Sequence, residues 1–345
     1  MDINLLQKTL DDFNQPKFRF NQILKNYFKG IFGSFDSMTD LPKQLREYLD
    51  KNLSLYSVKQ NKVVSDQYTQ KALLELKDGQ KIETVLMDYD DWLTVCVSSQ
   101  VGCPMNCSFC ATGKMGLKRN LTAEEIVDQV LFWNNVLFKR HCEEQSDEAI
   151  PYVGRVVVMG MGEPFLNWDN LIEALQIINS PEGLNLGARK ISVSTSGIAD
   201  KIIDFANLDT QINLAVSLHS ANQKTRESIM PVAKMFSLDE LKKACEIYTQ
   251  KTNRQIFFEY ALMKGINDSP KDIDLVSEFI GSNKLFYLNL IPLNPVKDGM
   301  EPSSEQKFKE FESELTRRRM PFSVRRSFGQ ELNAACGQLV IQNNI

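Results

Sequence analysis

Six short apolar runs alternate with helix-forming segments after residue 90, and this alternation constrains the fold more strongly than any other feature of the sequence. The runs span 93–98, 155–160, 190–195, 213–218, 255–262 and 286–293, and each has the length and character of a buried strand. Repeated βα alternation predicts an α/β fold with a parallel sheet or a partial barrel. Ligand chemistry in such folds lies at the carboxyl ends of the strands.

Capping boxes support this interpretation by marking where helices begin. In a capping box, a hydroxyl side chain and a carboxylate or amide side chain three residues later bond to each other's backbone amides. The candidate pairs are Thr122 with Glu125, Ser237 with Glu240, and Ser303 with Gln306.

The first 80 residues follow a different pattern. Apolar residues recur at helical spacing in 20–31 and 42–53, and 71–77 and 81–87 read as two strands joined by a turn at Asp78–Gly79. We therefore predict an N-terminal accessory domain over 1–80, a core over 81–330 and a C-terminal segment over 331–345. The first helical stretch is basic, and a solvated helix face explains its charge better than an RNA contact does.

Residues 139–151 are polar and lack periodicity. They predict a surface insertion between the first helix of the core and its second strand. His141 and Cys142 lie inside it, and an exposed loop explains them better than a metal pair.

Composition narrows the class of protein. Hydrophobic residues make up 43% of the 345-residue chain and charged residues 24%, as is usual in soluble globular proteins. The sequence has neither an apolar run long enough to cross a bilayer nor the pattern of a signal peptide at its start, so we expect a cytoplasmic protein. The net charge of −4 does not itself suggest nucleic acid, but a local basic face can still bind it.

Three of the seven cysteines cluster tightly. Cys103, Cys107 and Cys110 lie within eight residues, in a segment that follows the first strand of the alternation. An odd cysteine count in a reducing compartment argues against a disulfide framework. Structural zinc usually takes four protein ligands, whereas three thiolates leave one iron of a [4Fe–4S] cluster open to a cofactor. We predict the cluster; a zinc site completed by a distant residue and a redox CxxC are the alternatives.

The spacing CxxxCxxC, with an aromatic residue before the last cysteine, is the signature of radical S-adenosylmethionine enzymes. The chain also resembles, over nearly its whole length, the RlmN/Cfr family of RNA adenine methyltransferases. The matching motifs are CVSSQVGCPMNCSFCATG (96–113), GMGEP (160–164), STSG (194–197), SLHSAN (217–222), IPLNP (291–295) and AACGQL (334–339). The resemblance implies a (β/α)6 partial barrel with a small N-terminal α+β accessory domain that contacts RNA.

The resemblance also implies the cofactors and the residues that bind them. In this family, S-adenosylmethionine chelates the open iron, and its cleavage yields a 5′-deoxyadenosyl radical; two molecules are used per turnover. The positions that match the family's cofactor ligands follow the predicted strands, where a glycine allows close approach and polar side chains can bind an ammonium or a ribose. They are Gly162, Glu163, Ser194, Ser217, Leu218, His219 and Asn294.

Three further residues match the family's catalytic groups. Cys336 matches the methyl carrier, which passes through an S-methylcysteine, and Cys96 matches the resolving thiol that forms a disulfide with it. Glu83 matches the family's proposed proton acceptor. Without the resemblance, Cys336 reads as a buried small residue and Glu83 as a surface carboxylate. A radical route suits C2 of adenine because this electron-poor carbon does not attack a cationic methyl donor.

RNA is the substrate that the resemblance implies. The family methylates an adenine of 23S ribosomal RNA near the peptidyl-transferase centre and the adenine beside the anticodon of some tRNAs. Basic residues on both sides of the predicted site could neutralise phosphates, although solvated surface charges are the alternative. They are Lys114, Lys118, Arg119, Arg317, Arg318, Arg319, Arg325 and Arg326. We expect a monomer that takes electrons from a donor such as flavodoxin.

Two other functions compete with this prediction. A Cfr-like enzyme would methylate C8 of adenine instead, but Pro164 and Ser196 look like the C2 branch of the family. A non-catalytic Fe–S or zinc-stabilised RNA-binding protein would need neither Cys96 nor Cys336 as separate thiols.

Overall fold

A mixed sheet joins the N-terminal part of the chain to the predicted barrel. The computed structural model describes residues 1–144, 151–296, 300–325 and 328–341. The strands are β1 (Val58–Ser65), β2 (Thr69–Leu76), β3 (Lys81–Asp88), β4 (Leu93–Val97), β5 (Gln100–Cys103), β6 (Gly116–Asn120), β7 (Arg155–Val158), β8 (Ile191–Thr195), β9 (Asn213–Ser217), β10 (Ile256–Leu262), β11 (Phe286–Pro292) and β12 (Phe322–Val324). Within the described residues, ten of them form one sheet in the order β1-β2-β3-β4-β7-β8-β9-β10-β11-β12, and β5 pairs with β6.

The six predicted core strands are confirmed as β4, β7, β8, β9, β10 and β11, with ends that differ from the predicted ones by at most two residues. Each pairs in parallel with the next. This is the α/β architecture expected of a (β/α)6 partial barrel. A seventh parallel strand, β12, pairs with β11 and was not predicted, because three partly exposed residues carry too little periodicity.

Helices connect the strands. They are α1 (Ile3–Asp12), α2 (Phe18–Lys29), α3 (Lys43–Asn52), α4 (Ala111–Lys114), α5 (Ala123–Glu144), α6 (Trp168–Asn179), α7 (Ala199–Ala206), α8 (Gln223–Ile229), α9 (Leu238–Thr252), α10 (Pro270–Ile280) and α11 (Glu305–Arg317). Among the helices that the structure describes, none is both long and apolar enough to cross a bilayer.

Two of the three predicted capping boxes are present. Thr122 and Glu125 exchange bonds at the start of α5, and Ser237 and Glu240 do so at the start of α9. The third prediction is wrong by one residue, because Ser304 rather than Ser303 caps α11. The Ser303 hydroxyl instead donates to Asp268 at 2.6 Å.

The predicted insertion at 139–151 needs correction. Helix α5 extends to Glu144, so residues 139–144 are helical rather than an unpatterned loop, although most of their side chains are exposed. His141 and Cys142 belong to this helix end, and the prediction for 145–150 lies outside the described residues.

The predicted N-terminal hairpin is confirmed as β2 and β3, which pair antiparallel around the turn at Asp78–Gly79. This hairpin crosses the predicted domain boundary at residue 80. Strand β3 also pairs antiparallel with β4, the first barrel strand. The accessory strands therefore extend the barrel sheet, and a side chain on β2 or β3 can reach the edge of the site.

Candidate active site

A cavity lies at the carboxyl ends of the parallel strands. It contains about 1440 Å³ of empty space when the open solvent at its mouth is included. Five of the chain's cysteines line it: Cys96, Cys103, Cys107, Cys110 and Cys336. Cys96 lies near the end of β4, and the triplet of Cys103, Cys107 and Cys110 begins at the last residue of β5. Cys336 comes from the C-terminal segment. The fold thus joins thiols that are far apart in the sequence.

The triplet lies in the segment 103–112, called the cluster loop below. Cys103 is the last residue of β5, Cys110 directly precedes α4, and the backbone amide of Cys110 donates to the carbonyl of Cys107 at 3.1 Å. Burial raises the pKa of all three thiols, to about 12 for Cys103. These buried thiols need a cation to hold them as thiolates.

The geometry of the triplet distinguishes between two kinds of metal centre. In the part of the chain that the structure describes, no three His, Cys, Asp or Glu side chains are placed to hold one metal ion. Structural zinc takes its protein ligands around a single atom. A cubane cluster takes each thiolate on a different iron. The three thiols line one cavity together with the strand-end polar groups, and this arrangement fits a [4Fe–4S] cluster that leaves one iron open to a cofactor.

Six of the seven residues that match cofactor ligands line the same cavity: Gly162, Glu163, Ser194, Ser217, His219 and Asn294. Gly162 has a φ of +108°, and a Cβ added there would lie 2.7 Å from the Cβ of Gln100, so this close approach requires glycine. Leu218 is the exception. Its side chain is buried elsewhere, and its backbone amide donates to the Glu259 carbonyl at 3.0 Å.

Three hydrogen bonds hold the Glu163 carboxylate in place at the cavity wall. Its carboxylate accepts bonds from the Phe165 amide at 3.0 Å, the Thr195 hydroxyl at 2.8 Å and the Ser196 amide at 2.6 Å. Burial still raises its pKa above the ordinary value. A held, desolvated carboxylate of this kind is suited to bind an ammonium or a hydroxyl donor.

His219 and Ser196 are two further polar residues that line the cavity. The His219 Nδ1 accepts from the Ala261 amide at 3.0 Å, and burial lowers the pKa of this imidazole to about 3, so the ring is neutral. Ser196 lines the cavity, and its side-chain hydroxyl acts with its backbone amide to lower the pKa of Glu163 against the effect of burial. Ser196 is thus a further polar group beside Glu163, where the sequence had noted it only as a mark of the C2 branch.

Cys96 and Cys336 differ in their surroundings. Cys96 is buried, and this burial, reinforced by the nearby Cys336, raises the pKa of its thiol to about 12. Cys336 is exposed at the cavity lining. Its segment is tied to the cluster loop, since the Ala111 amide donates to the Gly337 carbonyl at 2.7 Å and the Thr112 hydroxyl to the Leu339 carbonyl at 2.6 Å. The exposed thiol can thus meet both a cofactor and a substrate.

Comparison with known proteins assigns the family. A profile of the radical SAM superfamily matches residues 97–276, and one described as the ribosomal RNA large subunit methyltransferase N-terminal domain matches 1–55. A probable dual-specificity RNA methyltransferase RlmN from Listeria welshimeri is 41% identical over 97% of this chain and 90% of its own. The one from Staphylococcus carnosus is 44% identical with the same coverage. The chain belongs to the RlmN family of radical SAM enzymes.

A solved structure agrees with this RlmN-family membership. A radical SAM methyltransferase from Sphaerobacter thermophilus superposes with a TM-score of 0.89 at 40% identity, covering 98% of this chain and 97% of its own. The chain is therefore a methyltransferase that uses a [4Fe–4S] cluster and S-adenosylmethionine.

Glu83, the residue that matches the RlmN family's proton acceptor, lies outside the cavity lining. It is buried, with one oxygen 2.9 Å from the Lys71 ammonium and the other accepting the Val340 amide at 2.8 Å. Burial raises its pKa, against the opposing effect of Lys71. The sequence did not anticipate that both oxygens are occupied.

Several arginines that the sequence placed with RNA have other partners in this RlmN-family structure. Arg119 pairs with Glu125 and Asp78, while Arg317 and Arg318 pair with Glu314. These contacts give no support to a free basic rim at those positions, and Arg326 lies outside the described residues. A role in RNA binding stays a prediction for the basic residues.

Arg325 turns into the cavity instead of facing RNA. Its guanidinium is 3.7 Å from the Glu259 carboxylate, which also accepts two bonds of 3.1 Å from the Asn289 amide. The Cys336 thiol raises the pKa of Arg325 most strongly, and Tyr89 and Cys96 contribute as well. Sequence reasoning missed Glu259 as a site residue; a carboxylate within the otherwise apolar run 256–262 was its only signal.

Proposed function

We propose that this enzyme methylates C2 of an adenine in RNA, in 23S ribosomal RNA and in some tRNAs, through an S-methylcysteine at Cys336. The observation that carries the proposal is the placement of the exposed Cys336 in the cavity lined by the cysteine triplet. The relatives' description as dual-specificity RNA methyltransferases supports the substrate class. Reaching the base in structured RNA requires its extrusion from the stack.

The donor set of the cavity supports placing both cofactors there. Cys103, Cys107 and Cys110 hold the cluster, and the strand-end groups around Glu163 and Ser194 hold S-adenosylmethionine. Leu218, whose side chain is not in the lining, contributes at most through its backbone. When bound, the cluster and cofactor supply the hydrogen-abstracting carbon radical that activates a methyl group.

Cys336 is the group that carries the methyl. As a thiolate it accepts a methyl from one S-adenosylmethionine by displacement. The S-methyl group then gives a hydrogen atom to the 5′-deoxyadenosyl radical that a second S-adenosylmethionine would supply, which becomes 5′-deoxyadenosine, and the resulting carbon radical adds to C2 of the adenine. A neutral His219 and the inward-facing Arg325 line the space around this reaction.

Cys96 releases the product in this scheme. After C2 has lost its proton and the surplus electron of the radical adduct has passed to an electron acceptor, for which the oxidised cluster would serve, the Cys96 thiol attacks the sulfur of Cys336. The S–S bond forms as the S–CH₂ bond breaks, and the carbon takes that electron pair and the thiol proton to become the methyl group of the released base. Both cysteines line one cavity, which supports the pairing. Glu83 as acceptor of the C2 proton stays a prediction, and its position outside the cavity lining requires that it exchange a partner first.

The other partners follow from the chemistry. We propose a low-potential electron donor of the flavodoxin type and, because ribosomal RNA and tRNA are the proposed substrates, a reaction in the cytoplasm. We also propose that the enzyme works as a monomer, since this chain itself supplies the five cysteines that the scheme uses. A Cfr-like C8 methyltransferase is the second candidate; Pro164 and Ser196, which favour C2, both lie at the strand-end edge.

Anaerobic reconstitution tests the proposal. With reductant, S-[methyl-³H]adenosylmethionine and protein-free ribosomal RNA, we expect 5′-deoxyadenosine to form and tritium to enter the RNA. Boiled enzyme is the control for label carried over without catalysis. Cofactor cleavage without label in ribosomal RNA or tRNA would contradict the proposed substrate.

A further inference from the structure

Lys71 is a buried cation for which the proposed reaction gives no role. It lies on β2, and its side chain is only 8% exposed. Its ammonium is 2.9 Å from a Glu83 oxygen and donates to the carbonyl of Asn333 at 3.2 Å. A buried ammonium is costly to desolvate, and a buried ion pair is weak evidence for stability alone. The free-energy cost of desolvating this ammonium points to a specific structural role for Lys71.

The partner of Lys71 bonds to the same C-terminal segment. The second oxygen of Glu83 accepts the backbone amide of Val340 at 2.8 Å. The Lys71–Glu83 pair therefore bonds to the segment at Asn333 and again at Val340, and Cys336 lies between these two points.

We propose that the Lys71–Glu83 pair positions the segment 333–340, and that Lys71 is a positioning residue for the chemistry at Cys336. The pair connects the N-terminal hairpin of β2 and β3 to the segment that carries the exposed thiol. This inference rests on the proposed function only in taking Cys336 as the methyl carrier.

The opposite side of the segment is held by different contacts. The cluster loop binds it through Ala111 and Thr112, and the Asn294 side chain donates to the Cys336 carbonyl at 3.2 Å. Those contacts depend on residues beside the cofactors, whereas the Lys71–Glu83 pair does not line the cavity. Loss of the pair should therefore loosen the segment while leaving the cluster and the cofactor ligands in place.

Glu83 has two candidate roles, as a proton acceptor and as the positioning partner of Lys71, and they act at different steps. A proton acceptor acts after the carbon at Cys336 has joined the base, and it needs Lys71 only as a neighbour. A positioning pair acts earlier, since it sets the distance between the S-methyl group and the radical source. Removing Lys71 interferes with positioning without deleting the carboxylate, so it distinguishes the two.

The test compares Lys71→Met with Lys77→Met in the full-length, cluster-loaded protein. Lys77 is exposed at the end of the same strand pair and is the matched control. In Lys71→Met we expect amide hydrogen exchange in 333–340 to accelerate about tenfold, because the contacts that close the segment are weakened. Iron content and S-adenosylmethionine affinity should stay at wild-type values, and Lys77→Met should change nothing.

A second readout links the segment to catalysis. With RNA present, the amount of 5′-deoxyadenosine per methylated adenine should rise in Lys71→Met, because cleavage continues while the S-methyl group is misplaced. A loss of folded enzyme would lower both products together and leave this ratio unchanged. Lys71→Arg, which keeps the cation, should restore both the ratio and the exchange rate towards wild type.

The double variant Lys71→Met/Glu83→Gln covers the case in which an unpaired buried carboxylate prevents folding, because it removes both charges at once. It should show the same faster exchange; the ratio is compared only in Lys71→Met and Lys71→Arg, which keep the Glu83 carboxylate. Unchanged exchange and an unchanged ratio in the folded variants would overturn the positioning role. If the proposed function alone is wrong, wild-type protein will lack S-methylated Cys336 while the exchange difference persists.

Discussion

Replacing any one of Cys103, Cys107 or Cys110 by alanine is expected to abolish both the cluster and the cleavage of S-adenosylmethionine. In the proposed cluster each thiolate would bind a different iron, so a missing one would leave an iron without its protein ligand. Protein reconstituted with iron and sulfide should be brown for the wild type and nearly colourless for these variants. We expect 5′-deoxyadenosine to fall to the level of the no-enzyme background.

Cys142→Ala is the control for this series, because Cys142 is an exposed cysteine near the end of α5 and outside the cavity. It should keep its iron, its colour and its activity. A Cys107→Ala variant that retains four irons and four sulfides per chain would show that the ligand assignment is wrong.

Cys336→Ala and Cys96→Ala are expected to fail at different steps. Cys336 must accept the methyl group before any carbon reaches the RNA, so its alanine variant should make neither methylated RNA nor a covalent adduct. Cys96 acts only once the adduct exists. In the Cys96→Ala variant, Cys336 should therefore still become methylated, and its carbon should still join the base. The variant should then accumulate a protein–RNA crosslink through Cys336.

Denaturing gels of each variant, isolated from cells and treated with ribonuclease or left untreated, measure this difference. A purely structural role for the two thiols predicts similar modest destabilisation and no crosslink in either variant. Normal turnover of Cys96→Ala without trapped RNA would remove the disulfide step from the mechanism.

The barrel strands could be predicted because burial on both faces of a parallel sheet produces short, nearly continuous apolar runs in the sequence. Runs such as 155–160 and 213–218 are short, apolar and bounded by polar residues, and β7 and β9 lie within them. The helix starts at Thr122 and Ser237 were equally predictable, since a capping box is a local interaction.

Other elements depend on contacts that a local pattern cannot reveal. The β5–β6 pair was not predicted, because its nine residues flank the cysteine loop in segments without strand periodicity. The shift of the cap from Ser303 to Ser304 follows from the bond between Ser303 and Asp268, which lies on a different part of the chain.

The candidate site likewise contains residues that could be predicted from the sequence and contacts that could not. The triplet and the strand-end ligands follow from spacing, from position and from a family resemblance. The inward turn of Arg325 towards Glu259 and the pairing of Lys71 with Glu83 arise from tertiary packing. In the sequence, Arg325 looked like one more basic residue of an RNA-binding surface, and Glu83 looked like a surface carboxylate on a strand.

The central claim is that a carbon first held by Cys336 ends on C2 of an adenine. The most direct test supplies S-adenosylmethionine with a CD₃ group and analyses the digested RNA by mass spectrometry against synthetic 2-methyl- and 8-methyladenosine. The mechanism removes one hydrogen from the S-methyl group before transfer, so it predicts 2-methyladenosine with two deuterium atoms in its methyl group. A product with all three deuterium atoms retained, or 8-methyladenosine in its place, would contradict the account.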